Sequence, residues 1–422
     1  MLIICVIALW LIILYKDPFW GLCALIFLFP FEEASLVPGV SIAVPIGVAL
    51  VLSYLIHIKS YPIIWNSNYS LFILLVFVGV ASLVVNGSYY SNIQSLIQVT
   101  IFSFIVSQIT TTFERVKTMM LVLGYSLLLN GGFLYFSSIF GHITDFQASL
   151  GARQAGLIGD PNFSALFSIS FFPPLYAIYL EEKRRGRKLL LGIVLVNLLI
   201  LFFVAYSRGA IVAVAIMLLI TLIFKRVFKI RHYMMLFSVS IAWWLFADES
   251  GIMRIMELFD YKYYSEYTMI DRVEAVISGV NMFLSHPFFG VGYGEFRNAS
   301  INYSLGVYSN FDTRMVAHNS YIEMFAELGI LGGIPFVLIM YRSGKRYLSI
   351  MKAKLSSNRA FNNIIFSLFL GWTGLMVGQI FLSAQVKKQL WLIVGISISS
   401  NIWARTQSQR NTKTHKIDSE II

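Results

Sequence analysis

Residues 183–226 read KRRGRK (183–188), LLLGIVLVNLLILFFVAY (189–206), SRG (207–209), AIVAVAIMLLITLIF (210–224) and KR (225–226). Two apolar runs stand back to back around one short polar turn, with basic clusters at both far ends. Each run approaches the length a helix needs to cross about 30 Å of hydrocarbon. The pair reads as a transmembrane hairpin, its basic ends in the cytoplasm and its Ser207-Arg208-Gly209 turn on the other side. A β-barrel would show short alternating segments, which these runs lack.

The same pattern extends in both directions. Hydrophobic residues make up 58% of the 422-residue chain and charged residues 13%. No soluble core hides so much apolar surface behind so few charges, so length here counts crossings. Further apolar runs lie at 2–15, 19–31, 42–56, 70–85, 93–111, 116–140, 165–180, 233–247, 321–341, 361–382 and 390–404. The expectation is an all-α polytopic membrane protein with about 12–13 transmembrane helices and one large extracytoplasmic loop. Residues 2–31 cross either once, kinked through Asp17-Pro18, or twice. Two crossings are favoured, because an aspartate in mid-span is costly.

Charge sets the orientation. The net charge is +11, but the cations gather at 183–188, 225–232, 342–359 and 405–422, between apolar runs. That is the positive-inside pattern of cytoplasmic loops, not a nucleic-acid surface. Loops 141–164 and 248–320 then lie outside. The long loop carries nine acidic residues and five basic ones, a sign opposite to that of the chain. Residues 1–422 form a single integral membrane domain, with loop 248–320 inserted between spans and a basic cytoplasmic tail at 405–422. Cys5 and Cys23 sit in apolar runs, which argues against a disulfide framework or a thiolate metal site. The N-terminus lacks the basic start and small-residue cleavage site of a signal peptide. No internal repeat of the kind found in many transporters is visible.

The long loop has order written into it. In DRVEAVISGVNMFL (271–284), Val273, Val276, Ile277, Val280, Phe283 and Leu284 recur at helical spacing. Such a helix should lie on the bilayer surface or on the tops of the spans, with Arg272 in its first turn. Gly290-Val291-Gly292-Tyr293-Gly294 marks tight turns or close backbone approach. It is not a Walker A loop, because no Gly-Lys-Ser/Thr follows. At the loop's end comes His318-Asn319-Ser320-Tyr321-Ile322-Glu323, then Glu327. Asn319, or Ser320 in a capping box with Glu323, starts a membrane-entering helix there. His318 sits just before that N-terminus, where an anion is favoured.

Three of the external arginines join it as candidates: Arg153, Arg208 and Arg272. Arginine forks grip phosphate oxygens bidentately, and a neutral histidine accepts a proton. Each residue also has an ordinary role. External arginines anchor to headgroups. Asp160 with Pro161 simply starts a helix, with Asn162 in its first turn. Glu327 in an apolar run needs a partner.

Tyr206-Ser207-Arg208-Gly209-Ala210, Asp271-Arg272 with its helix, His286-Pro287-Phe288-Phe289-Gly290 through Phe296, and His318-Asn319-Ser320 through Gly329 together resemble the O-antigen polymerase and ligase superfamily. The likeness runs from about Gly151 to Tyr341. It implies a GT-C-like glycosyltransferase of the bacterial cytoplasmic membrane, its active site facing the periplasm or exterior. The donor it implies is an undecaprenyl-diphosphate-linked glycan, polymerised into O-antigen or capsule. By the same resemblance, Arg208 and Arg272 grip the diphosphate and His318 acts as general base. Arg153, Asp160 and Asn162 match a weaker segment, and Asn319 and Glu327 are supporting positions. A ligase delivering the glycan to lipid A–core is the alternative, and a lipid-linked sugar transporter a more distant one. With no Asp-x-Asp pair in the loop and no His/Cys ligand cluster, neither a metal nor another cofactor is expected. Partners are the lipid-linked glycan, membrane lipids and, as a candidate, a chain-length regulator, with no nucleic acid.

Overall fold

The computed structural model describes residues 12–13, 15–31, 35–37, 40–41, 43–88, 93–140, 156–224, 266–304, 314–353, 359–400 and 402–403. Its elements are α1 (Pro18–Phe27), α2 (Ala43–Ile56), α3 (Ser67–Asn86), α4 (Ile93–Ile109), α5 (Phe113–Phe140), α6 (Pro161–Glu181), α7 (Arg185–Val204), α8 (Arg208–Phe224), α9 (Glu266–Ser285), α10 (Phe296–Tyr303), α11 (Ser320–Ala353) and α12 (Arg359–Gly378). A further helix, α13, covers 388–400. One small antiparallel ribbon pairs Ser35–Val37 with Val40–Ser41. The chain is a helical polytopic membrane protein. Among the described residues, six helices (α3, α5, α6, α7, α11 and α12) are long and apolar enough to cross a bilayer, and α1, α2, α4 and α8 are shorter apolar helices. The expected span at 233–247 and the basic tail lie outside the described residues.

Local chemistry fixes the helix ends. Asn66 caps α3, its Oδ1 accepting the Asn68 N–H at 3.0 Å, and Gly87 ends that helix at φ 62°. Asp17 caps α1 through the Phe19 N–H at 2.9 Å, so a helix starts afresh there. Its carboxylate also pairs with Arg115 at 2.7 Å and accepts the Tyr61 hydroxyl at 2.7 Å. Burial alone would raise the Asp17 carboxyl. The Phe19 N–H, Tyr61 and Arg115 outweigh it and hold the group below its ordinary value. The cost of an aspartate between apolar runs is thus offset by three partners at one end of the bundle. At that same basic end, Arg346 of α11 donates to Asn66 Oδ1 at 2.8 Å.

Small residues bring α6 and α12 together. A Cβ at Gly371 would meet the Ser170 carbonyl, one at Gly374 the Ser170 hydroxyl, and one at Gly378 the Leu166 side chain. Within lipid, close approach of this kind replaces hydrophobic drive as the source of helix association. Pro173 and Pro174 lie inside α6. They remove two N–H groups and loosen the helix where it faces α12.

The long loop is fastened by an exchange of backbone hydrogen bonds. At Gly329, α11 is broken by φ 60°, ψ −160°, a conformation almost restricted to glycine. The carbonyls of Ala326 and Glu327 lose their helical partners and accept instead from Val291 N–H (2.9 Å) and Gly292 N–H (3.2 Å). The orphaned N–H groups of Ile330 and Leu331 donate to Pro287 (2.7 Å) and Phe288 (3.4 Å) carbonyls. Segment 287–292 therefore serves as the missing turn of α11. Contact this close needs glycine on both sides. A Cβ at Gly290 would strike the Glu327 backbone, and one at Gly329 the Phe288 backbone. Ser82 of α3 closes the junction, donating to the Phe289 carbonyl at 2.7 Å and the Glu327 carbonyl at 3.0 Å. Asn86 adds a bond to the Gly290 carbonyl at 3.1 Å.

Gly87 offers an internal reference, since it has positive φ but open space around a would-be Cβ. Gly87→Ala should cost only the conformational penalty, about 1–2 kcal/mol. Gly290→Ala and Gly329→Ala should each lower the melting temperature in detergent clearly more. Equal shifts for all three would refute the junction.

Candidate functional site

At the end of the bundle opposite the basic clusters, four segments enclose a cleft of about 400 Å³, counting its open mouth. Asn162 and Leu166 come from the start of α6. Tyr206 to Ala210 form the α7–α8 turn, Arg272 comes from α9, and Gly378, Phe381 and Leu382 follow from the end of α12. Among the described residues, the charged side chains lining it are Arg208 and Arg272. Two guanidinium groups lining one cavity suit it to a polyanion.

Each wall has a local cause. Asp160 caps α6, its Oδ1 accepting the N–H groups of Asn162 (2.7 Å) and Phe163 (3.2 Å), with Pro161 at the first helical position. That is the ordinary reading of Asp160. Its work is to set the direction in which Asn162 enters the cleft. Tyr206 turns the chain at φ 45°. Buried Ser207 then starts α8, its carbonyl accepting the Ile211 N–H at 3.1 Å. Arg208 is thus the first residue of α8, at the positive end of the helix dipole. Gly209 lets that terminus press on Phe381, whose Cβ would lie 2.9 Å from an added Cβ.

α9 starts at Glu266, five residues before the expected Asp271, so Arg272 stands in its second turn and not its first. Its packing face also differs. The buried positions are Glu274, Ala275, Ser278 and Met282, with Gly279 pressed against Ile322 of α11 and Phe296 of α10. Val273, Val276, Val280 and Leu284 are exposed. Small residues allow closer approach to α11 than the valine stripe would, and the stripe is left to face outward.

His318 does not line the cleft, but its backbone is fixed on both sides. Ala317 belongs to a small core with Met282, Phe296 and Ala326. Asn319 is the cap of α11, its Oδ1 accepting from Tyr321 (3.0 Å) and Ile322 (3.1 Å). His318 itself takes φ 47°. Ser320 is not the cap. It bridges to the far end of α12, with its N–H on the Gln379 carbonyl (2.9 Å), its hydroxyl on Leu382 (2.8 Å), and the Ala384 N–H on its oxygen (2.7 Å). Leu382 lines the cleft, so this bridge ties His318 to the cleft wall. Glu323 likewise forgoes the capping box and accepts from Gln385 Nε2 at 2.6 Å.

Glu327 is buried away from the cleft and serves the loop. It accepts the Phe296 N–H at 3.1 Å and is also bonded by the Gly294 backbone. Tyr293 is buried beside it. Burial pushes its phenol well above the ordinary value, and the nearby Glu327 and Glu323 add to the rise. Arg153 lies outside the described residues. The structure therefore brings Arg208, Arg272 and Asn162 to one cleft, leaves His318 and Asn319 outside its lining but directly before Ser320, which is bonded to the cleft residue Leu382, and shows Asp160 as a helix cap and Glu327 as a partner of the loop backbone. Phe381 and Leu382 escaped the sequence reading, since nothing about an apolar pair after a span marks it as a cleft wall. Among the described residues, no cluster of three or more His, Cys, Asp or Glu side chains is placed to hold a metal.

No curated protein matches the chain. Residues 183–337 match a family model described as O-antigen ligase. That segment holds Arg208, Arg272, His318 and both glycines of the α11 junction, while Asn162 and Phe381 fall outside it. The match supports a role in O-antigen or related surface-polysaccharide assembly. Over this segment, less than half of its length, the chain is similar to that family.

Proposed function

We propose that the protein is a metal-independent glycosyltransferase that extends a polyprenyl-diphosphate-linked glycan on the outer side of the bacterial cytoplasmic membrane. One observation carries this reading: Arg208 and Arg272, distant in sequence, line a single cleft. The acceptor hydroxyl oxygen attacks the anomeric carbon of the donor sugar. The bond from that carbon to the diphosphate breaks, and the diphosphate leaves with the electron pair. Arg208, Arg272 and the α8 N-terminus stabilise the charge that develops on it. His318 takes the hydroxyl proton as general base. With an α-linked donor, direct attack inverts the anomeric centre.

A lipid-borne donor suits the surroundings of the cleft. Below it, along the same helices, runs an apolar crevice of about 810 Å³ counting its open side, lined by Phe172, Leu198, Phe202, Val214, Met217 and neighbours. A prenyl tail would lie there while its diphosphate meets the arginines. Polymerase is preferred to ligase because the long loop is net acidic, a poor surface for a phosphorylated lipid A–core.

His318→Ala should lower transfer by about a hundredfold or more while donor binding is kept. Unchanged polymer yield would defeat the assignment. Arg208→Lys and Arg272→Lys keep the charge but lose the fork, and each should weaken donor binding roughly tenfold. Transfer by the purified protein should survive excess EDTA, and loss of activity restored by a divalent cation would refute metal independence. Lipid-linked repeats incubated alone with the protein should give a ladder. Product formed only when lipid A–core is added would mean a ligase. Residues 248–320 expressed alone should be inactive, because Arg208 and Asn162 come from other segments.

A further inference from the structure

A second groove lies between α1, α2 and α4, at the start of α13. Counting its open side it holds about 860 Å³, close to the 810 Å³ of the crevice below the cleft. Its walls are apolar, including Leu25, Val44, Val51 and Ile101, and its polar members are Gln98 and Lys388. From Ala43 to Leu52 it follows α2 for about 14 Å at 1.5 Å per residue. Val44, Val48, Leu52 and Ile101 are exposed, so the groove opens sideways. Lys388 stands at the end of the bundle that holds the cleft, four residues after Ala384, which is bonded to Ser320. A cation at the head of a long apolar trough has the form of a seat for an anionic lipid.

Three features set this groove apart from an ordinary lipid-facing surface. First, Lys387 and Lys388 fall in a short segment that charge patterning assigns to the outside, where the positive-inside rule does not call for cations. Second, the two lysines diverge. Lys387 Nζ lies 4.6 Å from the ring centre of Phe163, the neighbour of Asn162 in the cleft wall, while Lys388 lines the groove. One segment thus sends one lysine to Phe163, next in sequence to the cleft residue Asn162, and the other to the groove. Third, Gly47 lines the groove inside α2, and nothing lies within 4 Å of where its Cβ would stand. Glycine inside a helix is unfavourable, and at this position it makes no close approach that would explain it. What it leaves is space.

We propose that this groove seats a second polyprenyl-diphosphate-linked glycan, the acceptor, with its diphosphate at Lys388 and its prenyl chain along α2. The inference rests on the polymerase reading, in which both substrates carry the same lipid anchor and only one can occupy the arginine cleft. The two grips differ in kind. Arginine forks hold the donor bidentately, whereas lysine is a point charge on a flexible stem. The product of each transfer, borne on the acceptor lipid, would then gain affinity by moving to the cleft once the spent diphosphate has left.

Native mass spectrometry of the full-length protein in detergent, titrated with undecaprenyl diphosphate, tests this. Wild type should bind two equivalents. Gly47→Phe, which fills the groove where nothing is displaced, should bind one, with Gly47→Ala as control. Lys388→Glu should weaken the second equivalent by about tenfold or more. An Arg208→Ala/Arg272→Ala double variant should lose the other equivalent. A single equivalent in wild type, two undiminished equivalents in Gly47→Phe, or equal displacement of the second by phosphatidylglycerol would each overturn the seat. Ladder formation separates the roles. Gly47→Phe should shorten the ladder, and full-length ladders despite a lost second equivalent would overturn the acceptor assignment. If wild type binds two equivalents yet makes no ladder, the polymerase reading fails while the lipid-diphosphate seat stands.

Discussion

The exchange of hydrogen bonds at Gly329 is the constraint on which the site depends. A broken helix inside a membrane protein leaves carbonyl and N–H groups that water does not satisfy, and each costs several kcal/mol if left bare. Here the break is filled from outside the helix. Segment 287–292 supplies two donors and two acceptors, and Ser82 and Asn86 of α3 complete the set. The long loop is thereby joined to the transmembrane bundle by backbone, the part of the chain least able to drift. α9 packs on α11 just beside this joint, so the position of Arg272 follows from it. Glu327 extends the joint by holding the start of α10.

The cleft gains its character from convergence. Arg208 comes from a turn three residues long, Arg272 from the long loop, Asn162 from a capped helix start and Phe381-Leu382 from the end of α12. Like charges repel, so gathering two guanidinium groups in one cleft costs free energy that the packing of these elements must supply. Separate rigid elements hold them there, which is the preorganisation that stabilises developing charge. The Ser320 bridge brings the end of α12 into the same frame as His318.

Much of this was legible in the sequence, for identifiable reasons. Apolar length and basic clusters pointed to membrane-spanning helices, and the turn after 189–206 put Arg208 at the end opposite those clusters. Asp160-Pro161 announced a helix start, and the glycines at 290–294 announced close approach. Less visible was what the approach was to. Gly329 reads as one glycine among many in an apolar run, and its break is set by a partner 40 residues earlier. The valine stripe of α9 misled in one respect. In a membrane protein the apolar face need not be the buried one, and the small face at Ala275, Ser278 and Gly279 packs instead. Ser320 looked like a cap because caps are local and readable, whereas its bond to Leu382 spans 62 residues. The groove beside Lys388 left one trace, two lysines on the side where cations are not expected.

The filled break in α11 also bears on the order in which the molecule is made. The segment that completes the helix, 287–292, leaves the ribosome before the helix it completes. When residues 320–353 emerge, the piece that fits at Gly329 already exists, so the helix is interrupted against a finished template. A chain with the two segments in reverse order would first present a lone helix with a glycine in mid-course, free to close into a continuous rod. Chain order thus protects a joint that local propensity alone would not form.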